Sequence, residues 1–255
     1  MSNNDYEQKL FWKEHQQVSN GKTFLRVLHI SDTHGFHEDI PINRFIDVDL
    51  VIHSGDASNH YSPVHNEQEM RKFLDWYEKV PVKHKIYVPG NHDTSIEAQF
   101  VEKKTFEDRG IHMLINESVE IEGFKIWGSP YTPTFGKWSF MKSREKLNDI
   151  WQMMPDDTEI VIVHGPPKTI RDLAYNGKEL EFCGCEALRK RLLNLSQLKL
   201  MCFGHIHNND GIFNQGVSTF DQFPGYYSNG ACVTDRMFNL GLSSYGNTFL
   251  LSKNV

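Results

Sequence analysis

The chain has 255 residues, of which 39% are hydrophobic and 24% are charged, proportions that fit one large globular domain or two small ones. Its longest apolar runs are only strand-sized, and residues 1–17 are mostly polar and charged, so neither a transmembrane helix nor a secretory signal is expected. A net charge of −6 argues against stable nucleic-acid binding, although bound metal could still provide a positive site for a phosphate substrate.

The cysteines indicate a reducing environment. Cys183, Cys185, Cys202 and Cys232 are too few for a disulfide framework in a chain of this length. Cys183 and Cys185 could bind a metal, but no second thiol pair stands at the spacing of a zinc site. Reduced thiols are the simpler interpretation, and we therefore expect a cytoplasmic protein with no membrane partner.

The chain shows no internal repeat and no linker rich in proline, glycine and serine, which predicts a single domain over residues 23–255. Residues 1–22 are expected to form a polar N-terminal arm, in which Phe11 and Trp12 could pack on the domain.

Short β-type runs alternate with helical patterns along this domain. Apolar residues at helical spacing, from Met70 to Tyr77, from Leu147 to Met154 and from Leu188 to Leu195, predict three amphipathic helices. The predicted strands are Leu25–Ile30, Leu50–His53, Lys85–Val88, Ile111–Ile115, Phe124–Trp127, Glu159–Val163, Lys199–Phe203 and Asn247–Ser252. Glu117–Gly123 is expected to form a hairpin with the strand from Phe124. This alternation is typical of an α/β protein with mixed strands.

Five of the predicted strands end in segments with metal-capable side chains. In chain order these segments are Asp32-Thr33-His34, Gly55-Asp56, Gly90-Asn91-His92-Asp93, His164-Gly165 and Gly204-His205-Ile206-His207. Ligands of α/β sheets bind beyond the carboxyl ends of strands, so we expect these side chains to meet in one site. Glycine beside most of them allows a sharp turn and leaves space near the site.

The number of candidate ligands favours two metal ions over one. The candidates are Asp32, His34, Asp56, Asn91, His164, His205 and His207. A single ion that accepts imidazole nitrogens does not take seven protein ligands. Two ions that share one carboxylate would have four protein ligands each, and Asp56, with two oxygens and no adjacent histidine, is the natural bridge. Such sites keep open positions for water and substrate.

Read in order, the five segments are D-x-H, G-D, G-N-H-D, H-G and G-H-x-H, and the chain resembles the calcineurin-like metallophosphoesterase superfamily. The resemblance extends from Asp32 to His207. Three further segments, Gly128–Pro133, His164–Pro167 and Gly184-Cys185, are similar to the small metallophosphoesterase-domain-containing proteins, a class III phosphodiesterase-like branch. Some members of that branch have a degenerate last motif, whereas this chain keeps both of its histidines.

The resemblance implies an α/β (α+β) fold in which two facing mixed β-sheets are flanked by helices. It implies one metal site made of Asp32, His34, Asp56 and His207 and a second made of Asp56, Asn91, His164 and His205. His92 would face the phosphate as a catalytic residue, and Asp93 would orient His92 through a hydrogen bond. Nitrogen and oxygen ligands suit two divalent ions of Mn, Fe, Zn, Co or Ni, of which we favour Mn.

The activity that the resemblance implies is hydrolysis of a phosphate ester by a water that two ions share and activate. His92 would stabilise the transition state or protonate the leaving oxygen. A phosphodiesterase on small nucleotides is the leading hypothesis. A phosphomonoesterase, including a protein phosphatase, and a metal-binding scaffold with little activity are the alternatives. The sequence does not predict an oligomeric state.

The loop after the strand from Phe124 is rich in aromatic residues. Because that strand should end at the same sheet edge as the metal ligands, its aromatic side chains could stack a nucleobase. Tyr131 and Trp138 are therefore candidate substrate-binding residues, and His37, three residues after His34, is a third. The alternative is that these rings only fill the gap between the loop and the sheet.

The histidines outside the motifs are interpreted as ordinary structural residues. His29 alternates with apolar neighbours and is expected on a polar strand face. Turn positions without a role at the site are expected for His53, His60, His65, His84 and His112.

Overall fold

The computed structural model describes residues 21–175, 178–236 and 239–254. Apart from Gly21 and Lys22, the predicted N-terminal arm lies outside the described residues. Lys22 already belongs to the first strand.

The first of two large sheets has five strands: β1 (Lys22–Ile30), β2 (Leu50–His53), β3 (His84–Tyr87), β4 (Ile111–Met113) and β17 (Asn247–Asn254). Their order is β17-β1-β2-β3-β4. The first four strands are parallel, and β17 runs antiparallel to β1 at one edge.

The second sheet has six strands: β5 (Glu117–Ile121), β6 (Phe124–Ser129), β9 (Ile160–Val163), β12 (Leu200–Phe203), β13 (Gly216–Phe220) and β14 (Phe223–Asn229). They lie in the order β13-β14-β12-β9-β6-β5. The four inner strands are parallel, whereas β13 and β5 pair antiparallel at the two edges.

Three smaller two-stranded units lie outside the large sheets. They pair β7 (Thr132–Pro133) with β8 (Met141–Lys142), β10 (Leu173–Tyr175) with β11 (Leu180–Phe182), and β15 (Val233–Arg236) with β16 (Asn239–Leu242).

The helices are α1 (Pro63–Lys79), α2 (Thr94–Glu97), α3 (Lys103–Glu107), α4 (Arg144–Gln152) and α5 (Glu186–Leu192), with two 3₁₀ turns at His37–Asp39 and Ile42–Phe45. Proline at the first position of α1 suits a helix start because its missing N–H has no helical acceptor there. At the start of α4, Ser143 Oγ accepts a hydrogen bond from the Lys146 N–H. None of the helices in the described ranges is long and apolar enough to cross a membrane.

Apolar residues form three layers that define the fold. The middle layer lies between the sheets and includes Leu50 and Ile52 from the first sheet and Ile160 and Ile162 from the second. The outer face of the first sheet packs on α1, and the outer face of the second packs on α4 and α5. A strand covered on both faces is apolar along its whole length, as all four buried residues of β9 are. The predicted sandwich of two mixed sheets flanked by helices is confirmed.

Element ends differ from the prediction where proline or tertiary packing intervenes. The helix predicted through Met154 ends at Gln152, because Pro155 disfavours helical backbone at the residue before it. Met154 remains 2% exposed and still packs in the core. The third predicted helix ends at Leu192, although Leu195 is also buried. Four strands, β13 to β16, lie in the region after Gly211 for which no strand was predicted before Asn247.

The histidine interpretation was wrong for several residues. His29 is fully buried rather than on a polar face, because β1 is covered on both sides; its ring nitrogens lie 2.7 Å from Ser228 Oγ and 2.9 Å from Ser54 Oγ. His53 is buried within β2, with Nε2 3.0 Å from Thr33 Oγ1. Regular elements also contain His65 in α1, His84 in β3 and His112 in β4.

Candidate metal centre

The carboxyl ends of parallel strands bring the predicted ligands together. Asp32 follows β1, Asp56 follows β2 and Asn91 follows β3, whereas His164 and His205 follow β9 and β12 of the facing sheet. Two groups result, Asp32–His34–His207 and Asp56–His164–His205, and within each group one donor atom per residue lies within 4.8 Å of the others.

The first cluster is built around Asp32, which is fully buried. Its Oδ1 lies 3.0 Å from His207 Nε2, and both of its oxygens accept from the His205 main-chain N–H at 3.0 Å. The opposite ring nitrogen of His207, Nδ1, lies 3.2 Å from Asp235 Oδ2. His207 is therefore held between two carboxylates.

The second cluster is built around His164, which is also fully buried. Its Nδ1 lies 2.8 Å from the Ser54 carbonyl oxygen, which can only accept, so Nδ1 carries the proton. Nε2 then faces Asn91 Oδ1 at 3.0 Å and Asp56 Oδ2 at 3.2 Å. This arrangement presents Nε2, rather than Nδ1, to a metal.

Asp56 lies between the two clusters. In addition to its contact with His164, Asp56 Oδ2 is 3.9 Å from His34 Nε2. Burial raises the pKa of Asp56, but the nearby histidines lower it well below its usual value, so the group is a carboxylate.

The orphaned nitrogens of His34 fit a metal ligand. Within the described part of the chain, neither ring nitrogen of this buried imidazole has a hydrogen-bond partner. Buried polar groups are normally paired, and the neutral imidazole of His34, beside two carboxylates, has one nitrogen whose lone pair can bind a metal ion. Imidazole nitrogen with carboxylate oxygen is a donor set that divalent transition metals accept.

Charge divides the histidines into two types. Burial lowers the pKa of His34 to about 4 and that of His205 to about 3, so both are neutral near pH 7. Burial also acts to lower the pKa of His164, but Asp56 outweighs it and raises that pKa to about 9. The hydrogen bonds to Asp235 and Asp32 likewise outweigh burial and raise the pKa of His207 to about 10. Near pH 7, each cluster of the metal-free protein therefore contains one histidine in the positively charged imidazolium form.

The backbone at the strand ends leaves no room for larger residues. A Cβ on Gly90 would lie 2.2 Å from Asp56 Oδ1, and a Cβ on Gly204 would lie 1.9 Å from Asp32 Oδ2. Several cluster residues have left-handed backbone, with φ of 49° at Asp32, 42° at His34, 57° at Asp56 and 67° at His205. These turns occur where the chain leaves the strands, at the residues that form the two clusters.

His92 lies beside the clusters but is not oriented as predicted. Its ring is 4.9 Å from the His34 ring and 4.1 Å from the Trp138 ring. Its Nδ1 donates to the Asn59 carbonyl oxygen at 3.2 Å, and its main-chain N–H donates to Asp56 Oδ1 at 2.7 Å. The orienting acceptor is therefore a main-chain carbonyl.

The prediction that Asp93 hydrogen-bonds the His92 side chain is wrong. Asp93 is fully buried beneath the loops, and among the described residues its oxygens accept from the main-chain N–H groups of Asp56, Ser58 and Gly90. The hydroxyls of Tyr87 and Ser58 donate to it as well. Asp93 therefore shapes the two loops that carry Asp56 and Asn91.

The three predicted substrate contacts fall in different places. Only Trp138 is at the site, against His92. Tyr131 is half-buried and packs on Phe140 at the edge of the core, and its contact with substrate stays a prediction. His37 is wrong as a substrate contact, because its ring is 4% exposed and packs against the aromatic side chains of α1. From the same loop, Phe135 is 59% exposed and lies 5.2 Å from the His205 ring.

Sequence reasoning missed several parts of the site. Asp235 stands on β15, in a region whose strands had no clear pattern. The main-chain carbonyl oxygens of Asn59 and Ser54 accept from His92 and His164. A sequence motif does not indicate such contacts, because the side chains of Asn59 and Ser54 take no part in them. Tyr61, whose ring meets Trp138 edge-to-face at 5.2 Å, precedes α1 without any motif.

Two facing mixed sheets carry two candidate metal-binding clusters of histidine and carboxylate side chains at their strand ends, and this combination defines the class of protein. The chain belongs to the calcineurin-like phosphoesterase family, whose model matches residues 25–209. Asp235 lies beyond the matched residues.

Relatives agree with this placement. Human metallophosphoesterase domain-containing protein 1 is 28% identical over 220 residues, which cover 77% of this chain and 65% of that protein. A UPF0046 protein of Caenorhabditis elegans is 30% identical over 215 residues, covering 79% and 70%. The probable rhamnogalacturonate lyase C of Emericella nidulans is 31% identical over 198 residues, covering 73% and 17%. The first two place the chain in the small metallophosphoesterase-domain branch.

The chain thus spans 17% of the Emericella relative and 65% of the human one. A solved crystal structure matches the fold with a TM-score of 0.61 at 13% identity, covering 81% of this chain and 90% of that one. At this identity the likeness concerns the fold alone.

Proposed function

We propose that the chain is a metal-dependent phosphoesterase with two divalent ions, and that its substrates are phosphodiesters of small nucleotides. The observation that carries the proposal is the pair of buried clusters joined by Asp56, with the half-buried His92 beside them.

One ion would be held by Asp32, His34, His207 and Asp56, and the other by Asn91, His164, His205 and the same Asp56. Asp56 is suited to this shared role because its carboxylate is ionised and lies within 4 Å of a histidine of each cluster. When bound, two such ions can activate a water and neutralise the charge on phosphate oxygens. Manganese is the ion we favour.

His92 is the group that would move a proton. Because Nδ1 donates to the Asn59 carbonyl, Nε2 is the nitrogen left to face substrate. In the imidazolium form Nε2–H can donate to a phosphate oxygen or protonate the leaving oxygen. The His92 main-chain N–H donates to Asp56 Oδ1, which holds the His92 backbone beside the proposed bridging carboxylate.

The nucleotide preference is supported by an exposed aromatic ring on the rim of the site. Phe135 is largely exposed and lies beside His205. An exposed ring near a phosphate site can stack a nucleobase, an interaction worth about 1–3 kcal/mol per base in nucleic-acid binders.

A reducing compartment such as the cytoplasm is also part of the proposal. It is supported by the four cysteines, all within the described residues and all unpaired, of which Cys185, Cys202 and Cys232 are buried.

The test is a substrate screen on protein reconstituted with Mn²⁺, with the metal-free protein as control. An aryl phosphodiester, an aryl phosphomonoester and cyclic nucleotides are compared at equal metal occupancy. We expect metal-dependent turnover of diesters, with cyclic nucleotides among the substrates. Turnover of the monoester alone would favour a phosphomonoesterase, and no turnover at full occupancy would favour a metal-binding scaffold.

Phe135→Ala tests the nucleotide preference. If the ring stacks a base, KM for a cyclic nucleotide should rise while turnover of an aryl diester and the melting temperature stay unchanged. An equal loss for both substrates would contradict base stacking.

A further inference from the structure

The orientation of His92 needs an explanation, because the carboxylate that follows it in sequence, Asp93, points elsewhere. One hydrogen bond, from Nδ1 to the Asn59 carbonyl at 3.2 Å, fixes the direction of one ring atom. A single hydrogen bond of this kind restrains the imidazole but still allows its plane to tilt. A second contact is required to fix the plane of the imidazole.

We propose that Trp138 is a positioning residue that fixes the plane of the His92 imidazole, so that Nε2 faces the phosphate. This inference rests on the proposed phosphoesterase function. The two rings lie 4.1 Å apart between centroids with a tilt of 35°, which places the face of the imidazole against the indole. His34 also meets the His92 ring, edge-to-face at 4.9 Å. The His92 ring thus contacts both an aromatic ring and a proposed metal ligand.

Trp138 is itself held on both sides by its neighbours in sequence. The Ser139 N–H donates to the Asn91 carbonyl at 3.2 Å, which ties the loop to the residue before His92. The Lys137 carbonyl accepts from the Tyr61 hydroxyl at 3.0 Å. Because these bonds flank the indole, the ring keeps a fixed position relative to the His92 backbone.

The Tyr61 ring completes this arrangement. It meets the indole at 5.2 Å and 80°, an edge-to-face geometry that aromatic pairs favour. With its face against His92 and a second ring beside it, the indole is engaged by protein. Trp138 therefore acts on the reaction through His92, and Phe135 is left as the exposed ring for substrate.

A double-mutant cycle with His92→Ala tests this inference. General acid–base help is worth about 10²–10⁴-fold, and losing the orientation of the ring should forfeit about tenfold or more of it. We expect Trp138→Ala to lower kcat with little change in KM. The loss of kcat should be larger for a diester with a poor leaving group than for a nitrophenyl ester. In the His92→Ala background the same substitution should change kcat less than about twofold, because effects on one functional unit are not additive. Additive losses, or a loss confined to KM, would overturn the inference.

Two variants control for simple destabilisation. Trp138→Phe keeps a ring against His92 and should recover most of the lost kcat. Phe182→Ala removes another partly exposed ring, on β11, and should leave both kcat and KM unchanged. Equal losses in Trp138→Phe and Trp138→Ala would contradict a face-to-face role.

An NMR measurement separates this inference from the proposed function. The His92 ring protons, assigned through their loss in His92→Gln, should be shifted upfield by the indole in the metal-free protein. We expect the shift to disappear in Trp138→Ala and to persist in Phe135→Ala, and its persistence in Trp138→Ala would refute the contact. Wild-type protein that turns over no ester at full metal occupancy would refute the function, while this spectrum still decides whether Trp138 holds His92.

Discussion

Metal binding to this centre should release protons, because one histidine of each cluster is in the positively charged imidazolium form in the metal-free protein. Burial alone would lower both pKa values, but the carboxylates raise that of His164 to about 9 and that of His207 to about 10. A divalent ion and a proton cannot share the same ring nitrogen, so each ion must displace one proton. The other two histidines, His34 and His205, have pKa values of about 4 and about 3 and are already neutral.

The size of the effect follows from these pKa values. A group whose pKa is raised stays protonated until the pH approaches that pKa, so metal competes with the proton throughout the range below about pH 9. The apparent affinity of each cluster should therefore rise about tenfold per pH unit, or about 100-fold between pH 6 and pH 8. This corresponds to about 2.7 kcal/mol of binding free energy per ion.

Calorimetric titration of metal-free protein with Mn²⁺ measures this effect. At pH 7, runs in two buffers of different ionisation enthalpy should give about one proton released per ion bound. Asp235→Asn is the matched variant, because it removes one of the groups that raise the pKa of His207. At pH 8.5 it should release fewer protons for one ion only. An affinity that is constant between pH 6 and pH 8, with no proton release, would refute the reasoning.

Three other predictions follow from the geometry. His92→Ala should keep both metal ions while kcat falls about 10²–10⁴-fold, whereas His164→Ala should lose metal affinity. Elemental analysis and steady-state kinetics check both variants. Loss of metal in His92→Ala would show that His92 is a metal ligand. Gly204→Ala would place a Cβ 1.9 Å from a carboxylate oxygen of the first cluster and should weaken metal binding, whereas Gly241→Ala, with open space around it, should not; metal titration compares the two. Burial lowers the pKa of His29 to about 3, so its contribution to the free energy of unfolding is complete above pH 6.5 and is lost by about 1.4 kcal/mol per unit as the pH falls from there towards 3. Urea unfolding at several pH values measures this dependence. The free energy of unfolding should change less with pH in His29→Gln than in the wild type, and an unchanged pH dependence would contradict His29 as its cause.

The candidate ligands were predictable because their placement follows from local sequence. Asp32, Asp56 and Asn91 each come directly after a short apolar run, and parallel strands bring such positions to one edge. The turn glycines beside them mark where each strand ends. Both the apolar run that predicts a strand and the glycine that marks its end can be recognised without knowledge of distant contacts.

Other parts depended on tertiary contacts that a sequence does not display. His29 could be read as surface-facing only because its partner Ser228 is 199 residues away in the chain. Asp235 reaches His207 through a strand pair whose composition resembles a loop. Asp93 was expected to turn towards His92, but three main-chain N–H groups of neighbouring loops take its oxygens instead.

The left-handed backbone at four cluster positions has a consequence for how such a protein can change over evolutionary time. Outside glycine this conformation costs about 1 kcal/mol or more per residue, and it persists only where the surrounding contacts hold it. His205 has φ of 67° and is only half-buried, so its replacement by glycine would relieve the backbone without opening a cavity in the core. His34 is 6% exposed, and its loss would leave a void. In a lineage no longer selected for metal chemistry, position 205 is therefore where a glycine should become established first.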